Sequence, residues 1–147
     1  ETDDTDSSMR VWLAGYRILY VPTSVVIHKR SATMKKLPID FVAFHGRKNT
    51  IQTLIKNYET LNLLTWLPVI LGIYLSAIMY YMLIRRWDQM KATLKAISWN
   101  IISVRKILRK RKHIQKFVRK KPDNVFFRLM KPFSVLDILK SEKTWPN

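Results

Sequence analysis

Cysteine is absent from the 147 residues, which excludes disulfide frameworks, thiolate zinc sites and cysteine nucleophiles. Glycine occurs three times, as Gly15, Gly46 and Gly72, and no two are close together. A phosphate-cradling glycine loop of the dinucleotide or P-loop kind is thereby excluded. Acidic residues are scarce, 10 against 27 Lys and Arg, and Glu1, Asp3, Asp4 and Asp6 crowd into the first six positions. Charge of either sign is missing from Thr60 to Ile84, a run of 25 residues. As a helix rising about 1.5 Å per residue, the run would extend roughly 37 Å, enough to cross a hydrocarbon core of about 30 Å with some tilt. The chain opens Glu1-Thr2-Asp3-Asp4 rather than with methionine, and we expect it to be part of a longer protein.

What is present is basic and apolar together. The formal charge is +17, yet 48% of residues are hydrophobic and 12% aromatic, which separates the chain from a disordered basic tail. Arg85 to Lys121 carries 14 Lys and Arg against one acid, Asp88, and so supplies +13 of the total. Within it, Met90 to Arg119 reads as an amphipathic helix, with Leu94, Ile97, Ile101, Val104 and Leu108 at helical spacing. Lys91, Lys95, Arg105, Lys106, Arg109, Lys110 and Lys112 fall mostly around the other side. That pattern suits a helix lying in a membrane interface against anionic lipids. A basic chain with aromatics also fits the footprint of a nucleic-acid binder. Because the basic helix directly follows a membrane-length run, lipid headgroups are the nearer phosphate surface, and nucleic acid is not expected as a partner.

Trp66, Tyr74, Tyr80, Tyr81 and Trp87 lie towards the ends of the apolar run, where headgroup-level side chains are expected. Both flanks are basic, which places both in the cytoplasm, and a single straight crossing cannot satisfy that. Pro68 and Gly72 offer a break for a re-entrant hairpin; a helix in the interface, or a return through Ala96 to Val104, are the alternatives. The expected location is the cytoplasmic face of the cell membrane.

Ahead of the run, Asp4 or Thr5 can cap a short helix through Leu13, with Gly15 as its stop. Tyr16 to Val21 is rich in β-formers and reads as a strand closed by Pro22, and Ser24 to His28 as a second. Ser31 to Pro38 reads as a loop, and Ile39 to Tyr58 as a helix with Phe41, Phe44, Ile51, Leu54 and Ile55 on one stripe. The tail from Pro122 is turn-rich, with a short apolar stretch from Phe133 to Leu139. His45 and His113 show no partner pattern.

The order of these features resembles the C-terminal end of the catalytic domain of family 2 glycosyltransferases, particularly rhamnosyltransferase-like members. Their pattern is Glu-Asp-x-Asp, an Arg four residues on, Leu-Ala-Gly-Tyr, a strand ending Val-Pro, and Val-x-His before Ser. Here Asp3-Asp4-Thr5-Asp6, Arg10, Leu13 to Tyr16, Val21-Pro22 and Val26 to His28 stand in register with it. Arg47-Lys48-Asn49 and Lys56-Asn57-Tyr58 resemble the Arg-Asn and Lys-Asn-Tyr elements that follow. Each element alone is common; the six in order carry the resemblance. One departure is Asp3, where the family usually has Glu.

The resemblance implies an α/β chain: the C-terminal end of a GT-A domain over 1–38 and a connecting helix over 39–59. A transmembrane or re-entrant segment over 60–84, a basic helical region over 85–121 and a tail over 122–147 would follow. It implies transfer of a sugar from a nucleotide-sugar donor to a hydroxyl of a glycan or lipid-linked acceptor, with inversion, in cell-surface polysaccharide synthesis. Asp4 matches the catalytic base, with Asp3 and Asp6 beside it. Chemistry agrees, because a sugar hydroxyl needs a positioned base and a helix N-terminus keeps a carboxylate ionised; alone, Asp4 reads equally as a helix cap. His28 matches a ligand of the divalent metal, Mg or Mn, and Arg10, Lys29 and Arg30 could contact phosphates. The nucleotide-binding half, with its Asp-x-Asp, is expected upstream of Glu1, and residues 1–147 by themselves are expected to be inactive. The competing reading is a basic membrane-anchoring or interaction module without chemistry.

Overall fold

The computed structural model of this protein describes residues 2–26 and 36–128, with side chains from Asp4 onward. The chain forms α1 (Thr2–Leu13), α2 (Ile39–Asn57), α3 (Thr60–Leu83), α4 (Trp87–Ile102) and α5 (Val104–His113). A π-helical turn, Ile114–Val118, extends α5, and a short α6 (Asn124–Phe127) closes the described part. Among the described residues there is no strand. The expected α/β fragment of a GT-A domain is therefore corrected to a small all-helical domain.

The reason lies in what a strand requires. Tyr16 to Val21 has the composition, but strand N–H and C=O groups must pair laterally, and no described neighbour offers an edge. The segment has no regular secondary structure and is open to solvent, with Leu19 77% and Tyr20 88% exposed. A turn at Pro22-Thr23, in which Ser24 N–H donates to Val21 O, ends it. Val25 and Val26 are also exposed and outside any strand, and the rest of the second expected strand lies outside the described residues. So do most of the expected loop 31–38 and the apolar stretch Phe133 to Leu139.

Helix α1 begins at Thr2, so Asp4 and Thr5 lie within it rather than at a cap. Its end is a Schellman arrangement. Gly15 takes φ +88°, Gly15 N–H donates to Trp12 O, and Tyr16 N–H donates to Val11 O. Leu13 and Met9 point into the core with Leu54, Tyr58 and Phe126. Tyr58 meets Phe126 at 5.5 Å and Phe127 edge-on at 5.4 Å between ring centroids. Leu13 O accepts from Lys120 N and Lys121 N, which ties the chain after the π turn to the end of α1.

Pro68 and Gly72 lie inside a continuous α3, so the break that a re-entrant hairpin needs is absent. The chain reverses after α2, runs back as α3, and then reverses again through Arg85, at φ +57°. Helices α4 and α5 run parallel to α2: Gln89 reaches Arg47, Asn100 reaches Lys48, and Arg111 reaches Ile55. Ser103 links α4 to α5 with little interruption, its N–H donating to Trp99 O and its carbonyl accepting from Ile107.

The inward face of α4 and α5 consists of Gln89, Ala92, Thr93, Ala96, Asn100 and Ile107. Small Ala and Thr side chains let α4 approach α2 closely. The apolar stripe read from the sequence points elsewhere: Leu94, Ile101, Val104 and Leu108 are exposed and Ile97 is half-buried. No residue of α3 is buried. Its outer face carries Leu64, Val69, Ile73 and Met79 in the open. Among the described residues, α3 is the one helix long and apolar enough to cross a membrane.

Candidate functional site at the end of α2

Side chains from α1, α2, α5 and the π turn converge where α2 ends. Its last carbonyls lack intrahelical partners, as at every helix C-terminus. Arg111 donates to Ile55 O and Tyr58 O, both at 2.6 Å, and to Thr60 Oγ1 at 3.2 Å. Gln115 Nε2 donates to Lys56 O at 2.9 Å. Arg119 donates to Asn57 O, to Gln115 Oε1 at 2.7 Å and to Asp123 Oδ1 at 2.8 Å. Two guanidinium groups thus sit at the negative end of the α2 dipole, where cations are favoured. Burial, then the nearby Arg119, holds the Arg111 guanidinium below its ordinary pKa, and Asp123 offsets part of that.

Asp123 is fully buried and also accepts from Glu59 N–H at 2.6 Å and Asn62 Nδ2 at 2.9 Å. It therefore receives the donors at the start of α3 while neutralising Arg119. Tyr58, packed against α6, has its hydroxyl pKa raised by burial and then by Asp123.

Asp6, 7% exposed, is the second buried carboxylate. Asn57 Nδ2 donates to its Oδ1 at 2.6 Å, Lys56 Nζ to Oδ2 at 2.8 Å, and Arg10 Nη2 lies 3.0 Å from Oδ2. The acidic motif and the Lys-Asn-Tyr motif, separated by 50 residues in sequence, are joined here. Beside this junction lies an open cavity of about 560 Å³, lined by Asp6, Arg10, Lys56, Arg109, Lys110, His113 and Ile114.

The expected site residues separate into three groups. Asp6 and Arg10 are joined at the junction, with Asp6 committed to ion pairs. Asp4 is exposed on α1 and makes no ion pair among the described residues. The Asp3 side chain and all of His28, Lys29 and Arg30 lie outside the described residues. No three His, Asp or Glu side chains among the described residues could jointly hold a metal ion, and both Asp6 oxygens are already taken by donors. The ligand that the resemblance implies, His28, lies outside the described residues, and no step below runs through a metal.

Sequence reading passed over Arg111, Gln115, Arg119 and Asp123, the residues that close the α2 end. The first three fall inside the stretch read as a basic amphipathic helix without being assigned to either of its faces, and Asp123 falls in the turn-rich tail. An Asp followed by Asn-Val-Phe-Phe, after Lys121-Pro122, was the available signal for an acid held beside a helix start.

Arg47, from the Arg-Lys-Asn motif, performs a second structural task. It donates to Tyr81 Oη and Gln89 Oε1, both at 3.0 Å, and so locks α2 to α3 and α4. No family model matches the chain, and no curated protein or solved structure matches it either.

Proposed function

We propose that this chain is the membrane-associated part of a glycosyltransferase. The enzyme would move a sugar from a nucleotide-sugar donor to a hydroxyl of a glycan or lipid-linked acceptor, with inversion, at the cytoplasmic face of the cell membrane. The observation supporting this reading is the meeting of two separate motif segments at Asp6, which fixes α1 against the end of α2. That junction leaves Asp4 exposed in the first turn of α1, where unpaired N–H groups favour its anion. A base so placed can take the acceptor hydroxyl proton. Asp6 then acts as a positioning residue. His28 as metal ligand and Arg10, Lys29 and Arg30 as phosphate contacts belong to the same proposal.

The reading is tested in a transferase that carries this chain. Asp4→Asn is expected to retain donor binding and lower turnover by at least about a hundredfold, the low end of a general-base contribution. Asp6→Asn is expected to lower the melting temperature, because it removes the charge that Lys56 and Arg10 pair with. Near-normal turnover of Asp4→Asn would remove the base assignment and favour the second reading. That reading, a basic membrane anchor without chemistry, is supported by an all-helical fold whose membrane-length helix buries no residue.

A further inference from the structure

We infer that the cavity between α1, α2 and α5 is an oxyanion site for a phosphate-bearing ligand, a phosphomonoester or a diphosphate. This inference shares Arg10 with the transferase reading but does not depend on it, since Arg109 and Lys110 have no part in that reading. Its volume of about 560 Å³ lies within the range of about 300–1,000 Å³ typical of ligand sites. Arg10, Lys56, Arg109 and Lys110 bring four positive charges to its wall, and His113 adds a ring N–H; Asp6 is the one anion there. The four cations less that carboxylate leave an excess of three positive charges around one open volume.

The charge balance is uneven in a way that points to a ligand. Asp6 holds Lys56 at 2.8 Å and Arg10 at 3.0 Å, so these two donors are fixed in place before any anion arrives. Arg109 and Lys110, on α5, also line the cavity, form no ion pair among the described residues and remain exposed. A basic helix face spreads like charges outward into solvent. Here three elements bring them to the wall of one open volume, where a bound anion would relieve their repulsion. A carboxylate ligand brings one charge, whereas a phosphomonoester or diphosphate brings two or more, with oxygens in several directions for a guanidinium fork and ammonium groups.

The position of the cavity suits the same chemistry. Lys56 is four residues before α3 begins, and Arg111 of α5 contacts Thr60, the first residue of α3. The cavity therefore sits beside one end of the helix long enough to cross a membrane, the level at which headgroup phosphates lie. The phosphate can belong to a lipid headgroup or to a soluble ligand.

The test uses the full chain of 147 residues in phosphatidylcholine nanodiscs, titrated calorimetrically with inorganic pyrophosphate. Saturable binding is expected, weakened about tenfold or more in the double variant R109Q/K110Q, which loses two charge-assisted contacts. R105Q/K106Q removes the same charge from exposed positions of α5 outside the cavity and should change affinity by less than about twofold, as for a screened surface charge. Circular dichroism melts of both variants should overlay the parent, because none of the four side chains makes a hydrogen bond or ion pair among the described residues. Nanodiscs containing phosphatidic acid distinguish the source: competition with pyrophosphate assigns a lipid headgroup, and lack of competition assigns a soluble phosphate. Equal losses in the two double variants, or no saturable pyrophosphate binding, would overturn the site.

Discussion

The described carboxylates of the acidic motif and the tail show how neighbours decide a residue's task. Asp6 and Asp123 are buried, and each is surrounded by donors and by guanidinium or ammonium groups. Breaking a buried ion pair by removing one partner typically costs about 3–5 kcal/mol, because a charge is left without compensation. Asp4 carries no such obligation. His45 is decided by its neighbours in the same manner. Burial lowers its pKa from 6.5, and Lys48 and then Lys95 lower it further. Lys48 Nζ lies 3.2 Å from His45 Nδ1, a contact the neutral ring can accept and the protonated ring cannot. The native state therefore binds this proton less readily than the unfolded chain. Stability from this group is present above pH 6.5 and declines as pH falls through the lowered native value. Thermal melts between pH 7 and pH 5 should show that decline, and His45→Gln should flatten it. An unchanged slope in the variant would assign the acid sensitivity elsewhere.

At the scale of elements, helix ends carry most of the specific chemistry. Gly15 ends α1 with a positive φ, a conformation that costs an L-residue about 1–2 kcal/mol. Space is not the difficulty: a Cβ there would meet Lys121 Cε at 3.7 Å, an ordinary contact. Gly15→Ala should thus destabilise by roughly 1 kcal/mol through backbone strain alone, read as a shifted urea midpoint with an unchanged slope. A change of slope would show instead that the end of α1 had come away from α2. The end of α2 is organised differently, with Arg111, Gln115 and Arg119 supplying donors to its final carbonyls. Part of the basic stretch is therefore internal to the fold, while Arg105, Lys106, Arg109 and Lys110 stay exposed.

For the whole molecule, the outward apolar surface is the dominant feature. The face of α3 bearing Val69, Ile73 and Met79 adjoins no described partner, and Leu94, Ile101 and Leu108 are exposed on α4 and α5. Exposed apolar surface of this kind marks an interaction or membrane-contact site. If α3 crosses a bilayer, a charge at its middle costs about 2.5–3.5 kcal/mol of insertion. Val69→Arg with Ile73→Arg should then release the chain from carbonate-washed membranes, whereas Leu61→Arg, at the end of the helix, should not. Equal retention of both variants would mean that α3 does not lie across the membrane.

The sequence by itself marked α3, since 25 residues without a charge make a helix long and apolar enough to cross a membrane. Helical periodicity likewise placed α2 to within a residue, because i, i+3 and i+4 spacing is a local property, whereas the stretch read as one helix over Met90 to Arg119 is α4, α5 and a π turn. Tertiary structure decided what local pattern cannot carry. Tyr16 to Val21 has strand composition but no described neighbour to pair with, so its β propensity has no hydrogen-bonding outlet. The basic helix turned its small residues, Ala92, Thr93 and Ala96, inward and its large apolar ones outward, because close packing against α2 favours the smaller face. Asp6 and Lys56, or Arg119 and Asn57, became partners through contacts across more than 40 residues. Charge and spacing along the chain do not encode such meetings; only the packed helices bring them about.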